Sequence, residues 1–281
     1  MTGHTSSRSH GDTERLHELV DAWRQAATDV LGLLRSLDGG DWPRPTDLPG
    51  WDVRAVAAHL AHLESVLAGR PQNQADVPEA AQSRTVSSRY TEAGVLARAG
   101  WPVERILDEL EASVAARQAA LEATPPADLG APGPAFAGAL GWSWERLLTN
   151  RPVDLWMHEQ DVRRAVDRRG GLDSVGARHT AAVFASALPY VLGRRVRPPV
   201  GTTVVLDVTG ALPQVHAATV GTDGRGVGVP PPAAPTARVT LDLEDWIILS
   251  GGRRPPEAVA VALSGDEDLG RRTVAALAVT T

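Results

Sequence analysis

The sequence contains no cysteine, which excludes structural disulfides, thiolate zinc sites and a cysteine nucleophile. Any thiol chemistry must therefore use a sulfur carried in on a small molecule. Lysine is absent too, so all 28 basic side chains are arginine. With the abundant alanine, this matches the codon bias of a GC-rich genome. The 34 acidic residues outnumber them, the net charge is −6 and no basic tract stands out. Nucleic-acid binding driven by counterion release is therefore not expected. No run approaches the roughly 20 apolar residues that span a bilayer. The opening MTGHTSSRSHGDTER has no hydrophobic signal core and reads as a frayed tail before a helix. A cytoplasmic protein without membrane contact is expected.

Hydrophobic residues make up 43% and charged residues 22% of 281 positions, enough to build a core without staples. At about 150 residues per domain, the length suggests two domains. The apolar spacing agrees, because its character changes near residue 198. Before that point the period is helical. Leu16, Val20, Trp23, Ala27, Val30, Leu31 and Leu34 form one stripe over about 13–37. GGDWPRPTDLPGW interrupts it, and Asp52 is a good N-cap for a second helix carrying Val53, Val56, His59, Leu60, Leu63 and Leu67. The polar stretch 70–100 reads as partly loop. Pro102 suits the first turn of a third helix. Ser143 caps a fourth reaching about 168, and a fifth covers about 174–193. Serial amphipathic helices argue for a four- or five-helix bundle over 1–197.

From 198 to 281 the spacing alternates. GTTVVLDVTG, PQVHAATVG, ARVTLDL and AVAVALSG read as strands, with Asp223-Gly224 able to turn a hairpin. EDWIILSGG and a final helix near Asp266 complete a small α+β domain.

Most of the eight histidines are isolated or lie in the tail. AAHLAHLES places His59 and His62 one turn apart, and RPVDLWMHEQDVRRAV places Asp154 and His158 four apart on one helix face. Two imidazoles and a carboxylate on facing helices are ordinary ligands for zinc or another divalent ion. The same spacing also suits a surface Asp–His hydrogen bond and a simple buried histidine. For His62 a helix-face hydrogen bond is expected, and for Glu159 a solvated charge. Trp51, Trp142, Trp144 and Trp156 suit either a pocket wall or the core.

LPGWDVRAVAAHLAHLE (48–64) and RPVDLWMHEQDVRRAV (151–166) resemble the two signatures of the DinB-like, mycothiol-dependent maleylpyruvate isomerase family. LDLEDWIILSGGRRPPEAVAVALSGDEDLGRRTVAAL resembles the sterol-carrier-protein-like domain that follows that bundle. The resemblance implies metal ligands at His59, Asp154 and His158, with Asp154 standing where the family usually has glutamate. It also implies a divalent metal, usually zinc, and mycothiol as the thiol cofactor. Addition of the thiolate to an activated double bond, rotation and elimination would isomerise cis to trans; addition alone would be S-transfer. Arg84, Arg89 and Arg151 are the candidate anchors for an anionic electrophile. Other catalytic residues are unassigned. The expected partners are a small-molecule thiol and an electrophilic substrate, in a monomer or weak homodimer. Two alternatives remain at this point. One is a metal-dependent hydrolase using bound water; the other is a non-enzymatic small-ligand binder.

Overall fold

The computed structural model describes residues 10–72, 75–77 and 86–280. The chain divides into two compact units, Met1–Arg169 and Gly170–Thr281.

The first unit is helical. It contains α1 (His10–Arg35), α2 (Val53–Leu67), α3 (Val86–Leu96), α4 (Val103–Ala123), the single turn α5 (Phe136–Ala139) and α6 (Trp144–Ala165). Helix α1 lies mainly against α6, and α2 lies between α3 and α4. The stripe read from the sequence faces the core: Leu16, Trp23, Ala27, Val30 and Leu34 are buried, while Val20 and Leu31 sit half-buried at its edge. Leu60 from α2, Ile106 and Leu110 from α4, and Leu148, Leu155 and Val162 from α6 complete it. Each fully buried Leu, Ile or Val among them stabilises the fold by about 1.5–3 kcal/mol relative to exposure. Two helix starts follow their caps. Asp52 accepts from the Ala55 amide and Ser143 from the Arg146 amide, each satisfying an otherwise orphaned N–H. Pro102 sits at the N-cap of α4 and not inside its first turn.

The second unit begins with α7 (Val175–Ser186), α8 (Leu188–Tyr190) and a π-helical turn, Val191–Val196. A five-stranded sheet follows: β1 (Thr203–Thr209), β2 (Gln214–Val220), β3 (Gly226–Gly228), β4 (Ala237–Asp242) and β5 (Val261–Gly265). The order is β3-β2-β1-β4-β5, with only the β1–β4 pair parallel. Helices α9 (Leu243–Ser250) and α10 (Glu267–Ala275) complete the α+β unit. Its beginning at Gly170 differs from the change of apolar period near 198. The segment between is helical, yet it packs on the sheet. α8 contacts β2 and β3, and the π-helical turn contacts β2, β3 and α10. The approach is backbone to backbone, since a Cβ on Gly226 would lie 1.9 Å from the Pro189 carbonyl oxygen, and one on Gly193 would lie 2.2 Å from the Gly226 nitrogen. Among the described residues no helix is long and apolar enough to cross a membrane.

Candidate metal centre

The first of the two site helices is entered through a tight turn. The Trp51 amide donates to the Leu48 carbonyl, with Pro49 and Gly50 between them and Gly50 at φ +82°. This is the geometry that favours proline then glycine at the centre of a turn. Thr46 donates through both its amide and its hydroxyl to the Trp51 carbonyl, so the turn is fixed at both ends. It sets the Trp51 ring 5.0 Å from the His59 ring and 6.1 Å from the His158 ring, centroid to centroid. The Trp51 indole N–H donates to Glu92 on α3 at 3.0 Å.

Beneath that ring α2 and α6 bring His59, Asp154 and His158 together. His59 Nε2 lies 3.5 Å from Asp154 Oδ2, and His158 Nε2 lies 3.7 Å from Asp154 Oδ1. One ligand atom from each residue falls within 4.8 Å of the other two. Atoms bound tetrahedrally to zinc at about 2.0–2.2 Å would be roughly 3.3–3.6 Å apart; the His59 separation falls in that range and the His158 separation, to the other carboxylate oxygen, lies just above it. The set also passes a second test. His59 is 4% exposed, yet neither of its ring nitrogens has a hydrogen-bond partner. A buried polar atom left unmatched costs about 1–3 kcal/mol, and a cation would complete it.

The charge states favour ligation. Burial lowers the His59 pKa, outweighing the attraction of Asp154, so the ring is neutral. Burial alone would raise Asp154, but the Arg151 guanidinium holds its carboxyl well below the usual range. The result is a neutral imidazole beside an ionised carboxylate, the forms that bind metals.

Support comes from a buried ionic chain. Arg151 is 1% exposed. Its Nη1 donates to Asp154 Oδ2 at 2.8 Å, while Nε and Nη2 donate to Glu64 Oε1 at 3.0 and 2.9 Å. Glu64 also accepts from Arg117 Nη1 at 2.9 Å and from the Trp23 indole at 3.2 Å. Burial disfavours the Glu64 charge, but the two guanidiniums outweigh it and lower its pKa. The carboxylates of Glu64 and Asp154 thus balance the guanidiniums of Arg117 and Arg151. On the other side, His158 Nδ1 lies 3.1 Å from Asp161 Oδ2.

The candidate anion anchors are placed differently. Arg151 is buried beside the centre and spends three of its five N–H groups on the carboxylates of Glu64 and Asp154, so its main contacts hold Asp154. Arg89 is half-buried and donates to the Val77 carbonyl at 2.8 Å. Arg84 lies outside the described residues. Two other expectations need correction. His62 is 3% exposed and bonds Gln72 Oε1 at 3.0 Å, outside its helix, because it faces α3 and not solvent. Glu159 is 1% exposed and paired with Arg163 at 2.7 Å. Of the tryptophans, Trp51 walls the site, Trp156 is fully buried, and Trp144 is half-buried against the core. Trp142 stands edge-on to Phe136. The roles of Glu64 and Arg117 carry no sequence signature, since each depends on a tertiary neighbour; Asp161 instead meets His158 three positions back on its own helix, a local spacing that the sequence contains.

A crystal structure of the mycothiol-dependent maleylpyruvate isomerase shares the fold, with a TM-score of 0.54 at 15% identity over 89% of this chain and 92% of that one. A histidine-to-alanine variant of that enzyme gives 0.49 at 15% identity with the same coverage. No curated protein matches the sequence. The family described as mycothiol maleylpyruvate isomerase N-terminal domain matches residues 23–163, about half of the chain and the part that holds all three candidate ligands. The chain belongs to that family.

Proposed function

We propose that the protein is a mycothiol-dependent metalloenzyme that directs a thiol onto a small electrophile, as a maleylpyruvate-type isomerase or an S-transferase. The observation that carries this reading is the convergence of His59, Asp154 and His158 within the segment that matches the family. A divalent ion held by these three would favour the thiolate over the thiol, whose free pKa is about 8.5. With no cysteine in the sequence, the reactive sulfur must come from outside.

The chain's own residues prepare the site. Arg151 keeps Asp154 ionised and fixes its Oδ2 at 2.8 Å. Neutral His59 keeps one unprotonated ring nitrogen available for ligation. Trp51 covers both imidazoles and limits water on that side. The Asp154 side chain is 23% exposed while those of His59 and His158 are 5% and 8% exposed, so approach to the centre is past the carboxylate.

The experiment is a set of turnover assays on zinc-loaded protein with mycothiol and maleylpyruvate. Isomerisation with catalytic thiol identifies the isomerase. Stoichiometric thiol loss with a conjugate formed identifies the transferase. Hydrolysis of an ester or amide without thiol would replace this reading with a hydrolase. Absence of saturable mycothiol binding by calorimetry would end the thiol mechanism.

A further inference from the structure

The two candidate histidine ligands are held in different ways. Neither nitrogen of His59 has a hydrogen-bond partner, whereas His158 Nδ1 meets Asp161 Oδ2 at 3.1 Å. Asp161 is fully buried, and its other oxygen, Oδ1, accepts from Arg164 Nη2 at 2.6 Å. Arg164 in turn donates through Nε to Asp47 Oδ2 at 2.9 Å, on the segment that leads into the Trp51 turn. A guanidinium can only donate, and a carboxylate matched to it accepts. The proton shared by His158 and Asp161 therefore belongs to His158.

We propose that the Asp161–Arg164 pair fixes His158 as its Nδ1–H tautomer and so leaves the Nε2 lone pair facing Asp154 and His59. Asp161 is a positioning residue acting through His158. The use of that lone pair rests on the metal-centre reading above; the tautomer itself does not. Partners of this kind fix the orientation of a ligating imidazole, and their loss typically costs about 10–100-fold in metal affinity.

The chemistry predicts a specific failure in Asp161→Asn. The amide has one accepting oxygen and one donating nitrogen. Arg164 cannot accept, so the oxygen must turn to Arg164 and the NH2 to His158. That makes His158 Nδ1 an acceptor and moves its proton to Nε2, the wrong tautomer for ligation. Replacing Arg164 by methionine in the same protein removes the donor that claims the amide oxygen, so that oxygen can face His158 again. The double variant D161N/R164M should therefore outperform the single one, a rescue that a merely structural role would not give.

The test is 15N NMR of histidine-labelled, metal-free protein at about pH 8, above the ordinary imidazole pKa of about 6.5, with zinc affinity measured in parallel. The wild type should show His158 protonated on Nδ1, and D161N should show it on Nε2 with zinc bound about 10–100-fold more weakly. D161N/R164M should recover the Nδ1–H signal and most of the affinity. A wild-type proton on Nε2, a D161N spectrum unchanged from wild type, or a double variant no better than the single one would overturn the proposal. If D161N does not fold, the wild-type and double-variant spectra still decide. A wild type with the expected tautomer but no zinc binding would sink the metal reading and leave the tautomer standing.

Discussion

At the scale of single residues, two histidines one turn apart on α2 illustrate how position decides chemistry. His59 has two unmatched nitrogens beside an ionised carboxylate, while His62 is tied into a polar cluster. The Gln72 amide is pinned by Ser65, Arg70 and Arg98, and its oxygen and Arg98 Nη1 both lie within hydrogen-bond distance of His62 Nδ1. Burial, then Arg98, lowers the His62 pKa to about 4. The folded state thus binds its proton less readily than the unfolded chain. The stability this contributes is present above about pH 6.5 and is lost as the pH falls toward the folded value. NMR titration of His62 should give a midpoint of about 4; a midpoint near the ordinary imidazole value would refute its enclosure. Gly94 makes that enclosure possible, since a Cβ there would lie 2.1 Å from the His62 ring. Gly94→Ala should destabilise by about 1–3 kcal/mol in urea unfolding. Glu64→Ala should cost more, about 3–5 kcal/mol, because it leaves Arg117 and Arg151 buried without their shared carboxylate. The depressed Glu64 pKa has its own pH consequence. Its stabilisation is present above the unfolded value of about 4.3 and is lost as the pH falls through the lower folded value.

At the scale of elements, start signals and apolar spacing were the most legible features. Asp52 and Ser143 cap the two helices that carry the site, and both are visible as polar residues before a helical stripe. Asp52→Ala removes an acceptor for the Ala55 amide and should cost about 0.5–2 kcal/mol. Thermal unfolding would measure it, and an unchanged midpoint would show that the turn alone fixes the helix start. Strand β3 was not legible as a strand. It has three residues, two of them glycine, too few to show alternation, and it exists through its pairing with β2. Helix α7 was legible as a helix but not as a partner of the second unit, because periodicity reports which face is apolar and not what covers it. The ligand spacing Asp154–His158 was readable for the same local reason. The Arg151–Glu64 contact spans 87 positions, and only the folded chain brings those groups together.

At the scale of the molecule, the site and its supports belong to one unit. His59, Asp154 and His158, together with Glu64, Arg117, Arg151, Asp161 and Arg164, all lie within Met1–Arg169. Most of them also lie within the segment 23–163 that carries the family match, Arg164 falling one residue beyond it. Asp154 occupies the position at which the resembled family usually has glutamate, yet its two oxygens reach both imidazoles at 3.5 and 3.7 Å. The shorter side chain is therefore compatible with a three-residue centre, held in place by Arg151. The central claim is that these three side chains retain a divalent ion, and metal content per chain by mass spectrometry tests it most directly. Wild-type protein exposed to zinc and then desalted should keep one ion per chain, and the His158→Ala variant, with its fold intact by circular dichroism, should keep none. A wild type that retains no metal, or a variant with unchanged stoichiometry, would contradict the assignment.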